Sequence, residues 1–282
     1  MIRRLFLILL VLFVAVLLAR HSLTPPRTPS HFAFGHGPDV VIVHGLGSTA
    51  EQWLPTARRL ARNHRVTLVH LPGHGLAEMP QPFSLEQAAA ALDRALVETA
   101  AGPVILVGHS LGGLVAAQVA LDHPERVRGL LLVETALRPQ APAAELPALL
   151  KSLDDNYDQV LRDAYLAMGR DSAQGLQLYA EVAKMDPAVV KPWIRLAWVA
   201  DLSGQMRKLQ PRLLAVLAPH SWGVEESWSH ASEALGYSQV PRARGVRVND
   251  CGHFIMIDQP ERLAEIIARF AANPDGDAVA AK

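Results

Sequence analysis

The chain has almost no cysteine: Cys251 stands alone among 282 residues. No intrachain disulfide can form, so the fold has to stand on its core in any redox compartment. Net charge is lacking as well, with 27 basic and 27 acidic side chains. That balance removes the electrostatic attraction on which a nucleic-acid or polyanion partner depends. No Cys/His cluster has zinc-ligand spacing, and no glycine-rich loop ends in Lys-Ser/Thr. Neither a bound metal nor a cofactor is therefore expected. There is no internal repeat.

One long hydrophobic run is present. Arg3 and Arg4 precede an unbroken apolar stretch from Leu5 to Ala19, which Arg20 closes. A helix of that length rises about 22 Å, short of the ~30 Å hydrocarbon core of a bilayer. Residues 1–20 read as a signal peptide or a short N-terminal membrane anchor. The flanking arginines leave the N-terminus in the cytoplasm and direct the rest of the chain to export. The chain is then anchored in the inner membrane facing the periplasm, or secreted after cleavage. The Pro25–Pro29 stretch makes residues 21–36 an extended linker.

From about Asp39 short β-branched runs alternate with helical patterns, the mark of an α/β chain with a mostly parallel, doubly wound sheet. Strand candidates are Val40–Val43, Val66–Val69, Val104–Val107, Leu130–Val133, Leu213–Leu217 and Val246–Val248. Most are continuous apolar runs, as both-face burial of a parallel sheet requires. Ser84 with Gln87 forms a capping box before Leu85, Ala88, Leu92 and Leu96. Pro260 opens a last helix whose Leu263, Ile266, Ile267 and Phe270 face inward. Residues 137–210 contain helical patterns and no strand, so they read as a helical cap inserted into the core. That core comprises residues 37–136 and 211–274, and residues 275–282 form a frayed tail.

Residues Val104–Gly113 read VILVGHSLGG. A strand runs into Gly108-His109-Ser110-Leu111-Gly112, matching G-x-S-x-G, and a helix begins at once. A serine hydroxyl is a weak nucleophile and needs exposure and a base within reach. A sharp strand-to-helix turn lifts Oγ above the sheet edge, and the flanking glycines leave room for the crowded backbone. With this setting the sequence resembles the α/β-hydrolase superfamily.

The resemblance assigns further positions. Val40–Ser48 read VVIVHGLGS, similar to the superfamily's oxyanion loop, which implies backbone N–H donors at Leu46 and Leu111. The LPGHG stretch, Leu71–Gly75, resembles the loop after the next strand, where His74 reads as a structural residue. Among 12 histidines, His253 lies in a late Gly-His-Phe before the last helix, where the superfamily keeps its catalytic base. The acid departs from the commonest pattern, because the segment LLAVLAPHSWGVEESW has no aspartate where most relatives place one. Glu134, at the end of the Leu130–Val133 strand, is the first choice, a placement similar to that of some haloalkane dehalogenases. Glu225 and Glu226 are the alternatives.

The implied activity is serine-dependent hydrolysis of a carboxylic ester of a small or medium, rather apolar small molecule, through an acyl-enzyme. A lactonase, thioesterase, amidase or carbon–carbon hydrolase would use the same triad. A non-catalytic binding protein would lack one of its members. The cap's Trp193, Trp198, Tyr157, Tyr165, Tyr179, Met168 and Met185 read mainly as its own core and its seam with the main domain. Membrane contact is expected only through residues 1–20, if they are retained.

Overall fold

The computed structural model describes residues 31–276. The apolar segment 1–20, linker residues 21–30 and tail residues 277–282 lie outside the described residues. Among those described, no helix is long and apolar enough to cross a membrane.

The apolar runs become strands β2 (Asp39–Val43), β3 (Arg65–Val69), β4 (Val104–His109), β5 (Val127–Val133), β6 (Arg212–Leu217) and β7 (Arg244–Arg247). They pair in parallel, and one further strand, β1 (His31–Gly35), joins the edge antiparallel to β3, giving the order β1-β3-β2-β4-β5-β6-β7. This strand corrects the linker reading. His31 lies opposite Val69 and Gly35 opposite Arg65. Alternate residues Phe32 and Phe34 turn onto the core, and their rings stack at 6.3 Å. The period-2 alternation of a half-exposed edge strand spans only five residues, and its Pro-rich approach masks it.

The sheet is covered on both faces. Val41, Val43, Leu106 and Leu130 face helices α2 (Leu85–Thr99) and α3 (Leu111–Asp122). Val40, Ile42, Ile105 and Val107 face Trp53 and two other helices. These are α1 (Leu54–Leu60) and the last helix, α10 (Pro260–Ala272). Successive side chains of one strand thus enter opposite cores, so the strands read as nearly continuous apolar runs, with Thr67 of β3 and His109 of β4 as buried polar exceptions.

Between β5 and β6 the chain leaves the sheet. It forms α4 (Leu146–Asp155), α5 (Tyr157–Met168), α6 (Ser172–Val182) and α7 (Pro187–Val199). The insertion is held down by fully buried Trp193, whose Nε1–H donates to the Pro72 carbonyl at 3.1 Å. Its ring meets Phe83 edge-on at 4.7 Å. After β6 come α8 (Trp228–Leu235) and, beyond β7, the short α9 (Ile255–Asp258). The ends of β2, β4, β5 and β6 and the turn before α9 meet under the insertion, and Leu46, Ser110, Leu111, Glu134 and His253 lie there.

Candidate active site

Ser110 sits between β4 and α3 with φ of 53° and ψ of −124°, a strained left-handed backbone for a residue with a Cβ. The turn is possible because its neighbours have no side chain. A Cβ on Gly108 would stand 2.6 Å from the Gly113 Cα, and one on Gly112 would stand 2.2 Å from the His44 carbonyl oxygen. The Ser110 N–H donates to the Val133 carbonyl at 2.9 Å, fixing the turn to β5. Leu111 opens α3, so its N–H has no carbonyl one turn back and remains available to an oxyanion.

Leu46 lies just beyond β2, and its loop is pinned from both sides. The Tyr165 hydroxyl donates to the Leu46 carbonyl at 2.8 Å. The Gly47 N–H donates to His74 Nε2 at 3.1 Å, while His74 Nδ1–H donates to the Pro72 carbonyl at 3.2 Å. His44 acts likewise, taking the Leu71 N–H on Nε2 and giving Nδ1–H to the Gly45 carbonyl. An imidazole that both donates and accepts is neutral. Burial pushes His74 down to about 4 and holds His44 well below its ordinary value, with His74 beside it adding to the effect.

His253 and Glu134 meet at 3.1 Å, Nδ1–H donating to Oε2. Glu134 also has a positive φ of 49°, which turns its carboxylate from the end of β5 toward the site. Its side chain is fully buried and draws four donors. The Ala218 N–H reaches Oε1 at 2.5 Å; Ser221 Oγ–H at 2.9 Å, His220 Nε2 at 2.9 Å and His253 Nδ1 all reach Oε2. Burial alone would raise the carboxyl's pKa. The hydrogen bonds from His220 and His253 outweigh burial and hold it at about 2. Glu134 is therefore an anion at neutral pH. Its bond to His220 raises the pKa of that imidazole, whose side chain is 42% exposed.

The backbone of His253 is clamped too. Its N–H donates to the Met168 carbonyl at 2.9 Å, and its carbonyl accepts His109 Nε2–H at 3.0 Å. Burial and the nearby His253 push His109 down to about 3, which keeps it neutral for this bond. Gly252 N–H donates to Asp258, whose other oxygen takes Gln174 and Arg170 from the insertion. His253 Nε2 is buried and has no hydrogen-bond partner among the described residues. It opens on a cavity of about 90 Å³ shared by Ser110, Leu46, Leu111, Leu161, Trp198 and Phe254. A second hollow of about 330 Å³ adjoins it through Gln140, Ala164, Met168 and His253, and reaches Glu134 and His220.

Glu225 is exposed, and Glu226 folds back on its own loop, accepting the Gly223 N–H at 3.0 Å. Neither makes any of the contacts to His253 found among the described residues. Three partners of Glu134 were missed by sequence reasoning: the Ala218 amide, His220 and Ser221. The signal in the sequence is APHS, residues 218–221, which follows β6 at once and carries all three.

A strand–serine–helix turn and a buried carboxylate on a histidine fit a carboxylesterase-like hydrolase. Residues 40–266 match the Alpha/beta hydrolase family, and the chain belongs to it. It is 30% identical over 258 residues to the pimeloyl-[acyl-carrier protein] methyl ester esterase of Aeromonas hydrophila, covering 84% of this chain and 96% of that one. A hydrolase from Oleispira antarctica superposes with a TM-score of 0.73 at 18% identity, over 88% of this chain and 96% of that one. An N-acyl homoserine lactone degrading enzyme superposes at 0.72 and 22% identity, over 85% and 95%.

Proposed function

We propose that the chain hydrolyses carboxylic esters bearing a short, uncharged acyl group, with Ser110 as nucleophile, His253 as base and Glu134 as orienting acid. The observation that carries this reading is the Glu134–His253 bond, made by a histidine that shares one cavity with Ser110. Ser110 Oγ attacks the ester carbonyl as His253 Nε2 takes its proton. Glu134 holds Nδ1–H and stabilises the imidazolium that forms. The amides of Leu46 and Leu111 receive the oxyanion. His253 then protonates the departing alkoxide, and water repeats the sequence on the acyl-enzyme.

The cavity supports the substrate class. Val160, Leu161, Ala164, Ile194 and Trp198 line it without a lysine or arginine, so a charged acyl group would lose its hydration for nothing. About 90 Å³ is well below the several hundred Å³ of a drug-sized site, and suits a short chain. Relatives named as methyl ester esterases favour an ester over an amide or thioester. The same reading puts the enzyme outside the cytoplasm, carried by the apolar segment 1–20.

Hydrolysis of a chain-length series of aryl esters by the whole chain tests the proposal. Turnover of acetyl to butyryl esters that vanishes in Ser110→Ala is expected. Phosphonate labelling of Ser110 without turnover of any ester would overturn the substrate class. Cell fractionation that finds the chain in the cytoplasm would overturn the location.

A further inference from the structure

Glu134 carries one more imidazole than orienting His253 requires. His220 Nε2 lies 2.9 Å from Oε2, the oxygen that His253 Nδ1 meets at 3.1 Å. The ligating atoms of Glu134, His220 and His253 all lie within 4.8 Å of one another. They come from three separate segments: the end of β5, the loop after β6 and the turn before α9. No linear spacing in the sequence could have announced them.

Two imidazoles and one carboxylate form the donor set of many zinc sites that keep a fourth position open. The carboxylate is also supported as metal ligands usually are, by Ala218 N–H on Oε1 and Ser221 Oγ–H on Oε2. Access is available, because His220 is 42% exposed and lines the 330 Å³ hollow with Glu134 and His253. We propose that Glu134, His220 and His253 bind a zinc ion that switches the enzyme off. Binding depends only on these three donors; the inhibition rests on the catalytic reading above.

The inhibition arises from the tautomer. In the resting arrangement His253 keeps its proton on Nδ1, facing Glu134, and leaves Nε2 free to accept one. A zinc ion takes the lone pairs of His220 Nε2 and His253 Nδ1; His220 gives its Nε2 proton up to solvent or carries it on Nδ1, and the His253 ring proton must sit on Nε2. The proton moves from one ring nitrogen to the other through solvent, and the count of protons on the ring is unchanged. The nitrogen that should receive the Ser110 proton then already holds one. Oxygen-loving Mg²⁺ is poorly matched to two imidazoles and should not compete.

Isothermal titration of the whole chain with Zn²⁺ tests the site without needing turnover, and Co²⁺ absorption reports nitrogen ligation. One ion per chain is expected in the wild type and in Ser110→Ala, which gives up no ligand. His220→Ala and His220→Gln, each checked for folding by circular dichroism, should bind at least about tenfold more weakly. In the wild type Zn²⁺ should slow phosphonate labelling of Ser110, and EDTA should restore it. Absence of stoichiometric binding, or equal affinity in folded His220 variants, overturns the site. Tight, His220-dependent binding that leaves labelling unchanged overturns the inhibition, and leaves the question of ester turnover to the separate substrate series.

Discussion

Glu134 Oε2 lies 3.1 Å from His253 Nδ1, joining residues 119 positions apart in the chain. The bond fixes which ring nitrogen of His253 carries the proton. Glu134→Gln should keep the shape and lose the orienting charge, lowering kcat for an aryl ester by roughly 10⁴-fold, as when the acid of a serine triad becomes an amide. Glu225→Gln and Glu226→Gln should stay within about twofold of wild type. Near-normal kcat in Glu134→Gln would sink the assignment of the acid.

Ser110→Ala should remove phosphonate labelling and reduce kcat by about 10⁶-fold, the usual loss when a triad nucleophile is deleted. Its stability should not fall, because only a hydroxyl is lost and the strained turn stays held by Gly108 and Gly112. Residual labelling at another serine would mean that the nucleophile lies elsewhere.

Tyr165 lines the cavity beside Ser110, and its hydroxyl holds the Leu46 carbonyl. Removing its hydroxyl in Tyr165→Phe frees the Leu46 carbonyl, at a cost to stability of about 1 kcal/mol. The oxyanion loop then loses one of its two pins. The expected outcome is a fall in kcat of about tenfold with KM little changed, since the bond matters most when charge develops on the substrate oxygen. A change in KM with kcat intact would show that Tyr165 only shapes the pocket.

Trp198→Ala should enlarge the cavity beside Ser110 and move the preferred acyl chain longer by a few carbons. The ratio of kcat/KM for octanoyl over butyryl esters measures it. An unchanged ratio would place the acyl group outside this cavity, in the adjoining hollow beside His220.

Acid should weaken the fold through His44 and His74. Both have folded pKa values below the ordinary 6.5 of histidine, His74 at about 4. Below pH 6.5 the unfolded chain takes up protons that the folded chain refuses, so stability rises with pH in this window and is lost as pH falls. Each buried ring that stays neutral adds up to about 1.4 kcal/mol per pH unit to that slope, and His109, held at about 3, adds to it with the same sign. Urea unfolding at pH 7.5, 6 and 5 measures it, and a flat profile would contradict neutral burial of both rings.

Much of this architecture can be read from the chain because parallel strands buried on both faces leave continuous apolar runs. Val40–Val43 and Leu130–Val133 are such runs, and each ends beside a candidate residue. The serine turn was legible because its steric demands force glycine at 108 and 112. Glu134 was legible only as a carboxylate at a strand end. Its distance to His253 depends on how β5 and the turn before α9 are placed, which no local pattern encodes. His220 and Ser221 were illegible for the same reason: a loop histidine acquires a role only through what the fold sets against it. The edge strand His31–Gly35 was missed because half-exposed pairing asks for little beyond Phe32 and Phe34.

Helix α5 touches both halves of the candidate machinery. Tyr165 holds the Leu46 carbonyl, and one turn later the Met168 carbonyl holds the His253 N–H. The helix works as a calliper, with jaws about 4.5 Å apart along its axis, measuring out the gap between the cradle for negative charge and the base. A lid that swung away on this helix would pull the two apart and disarm the enzyme at each opening. Opening of the site should therefore leave α5 in place, with the hollow that this helix shares with His220 and Leu235 as the route to Ser110. Selection for new substrates would then act on that hollow, while the spacing of Tyr165 and Met168 along α5 stays constant.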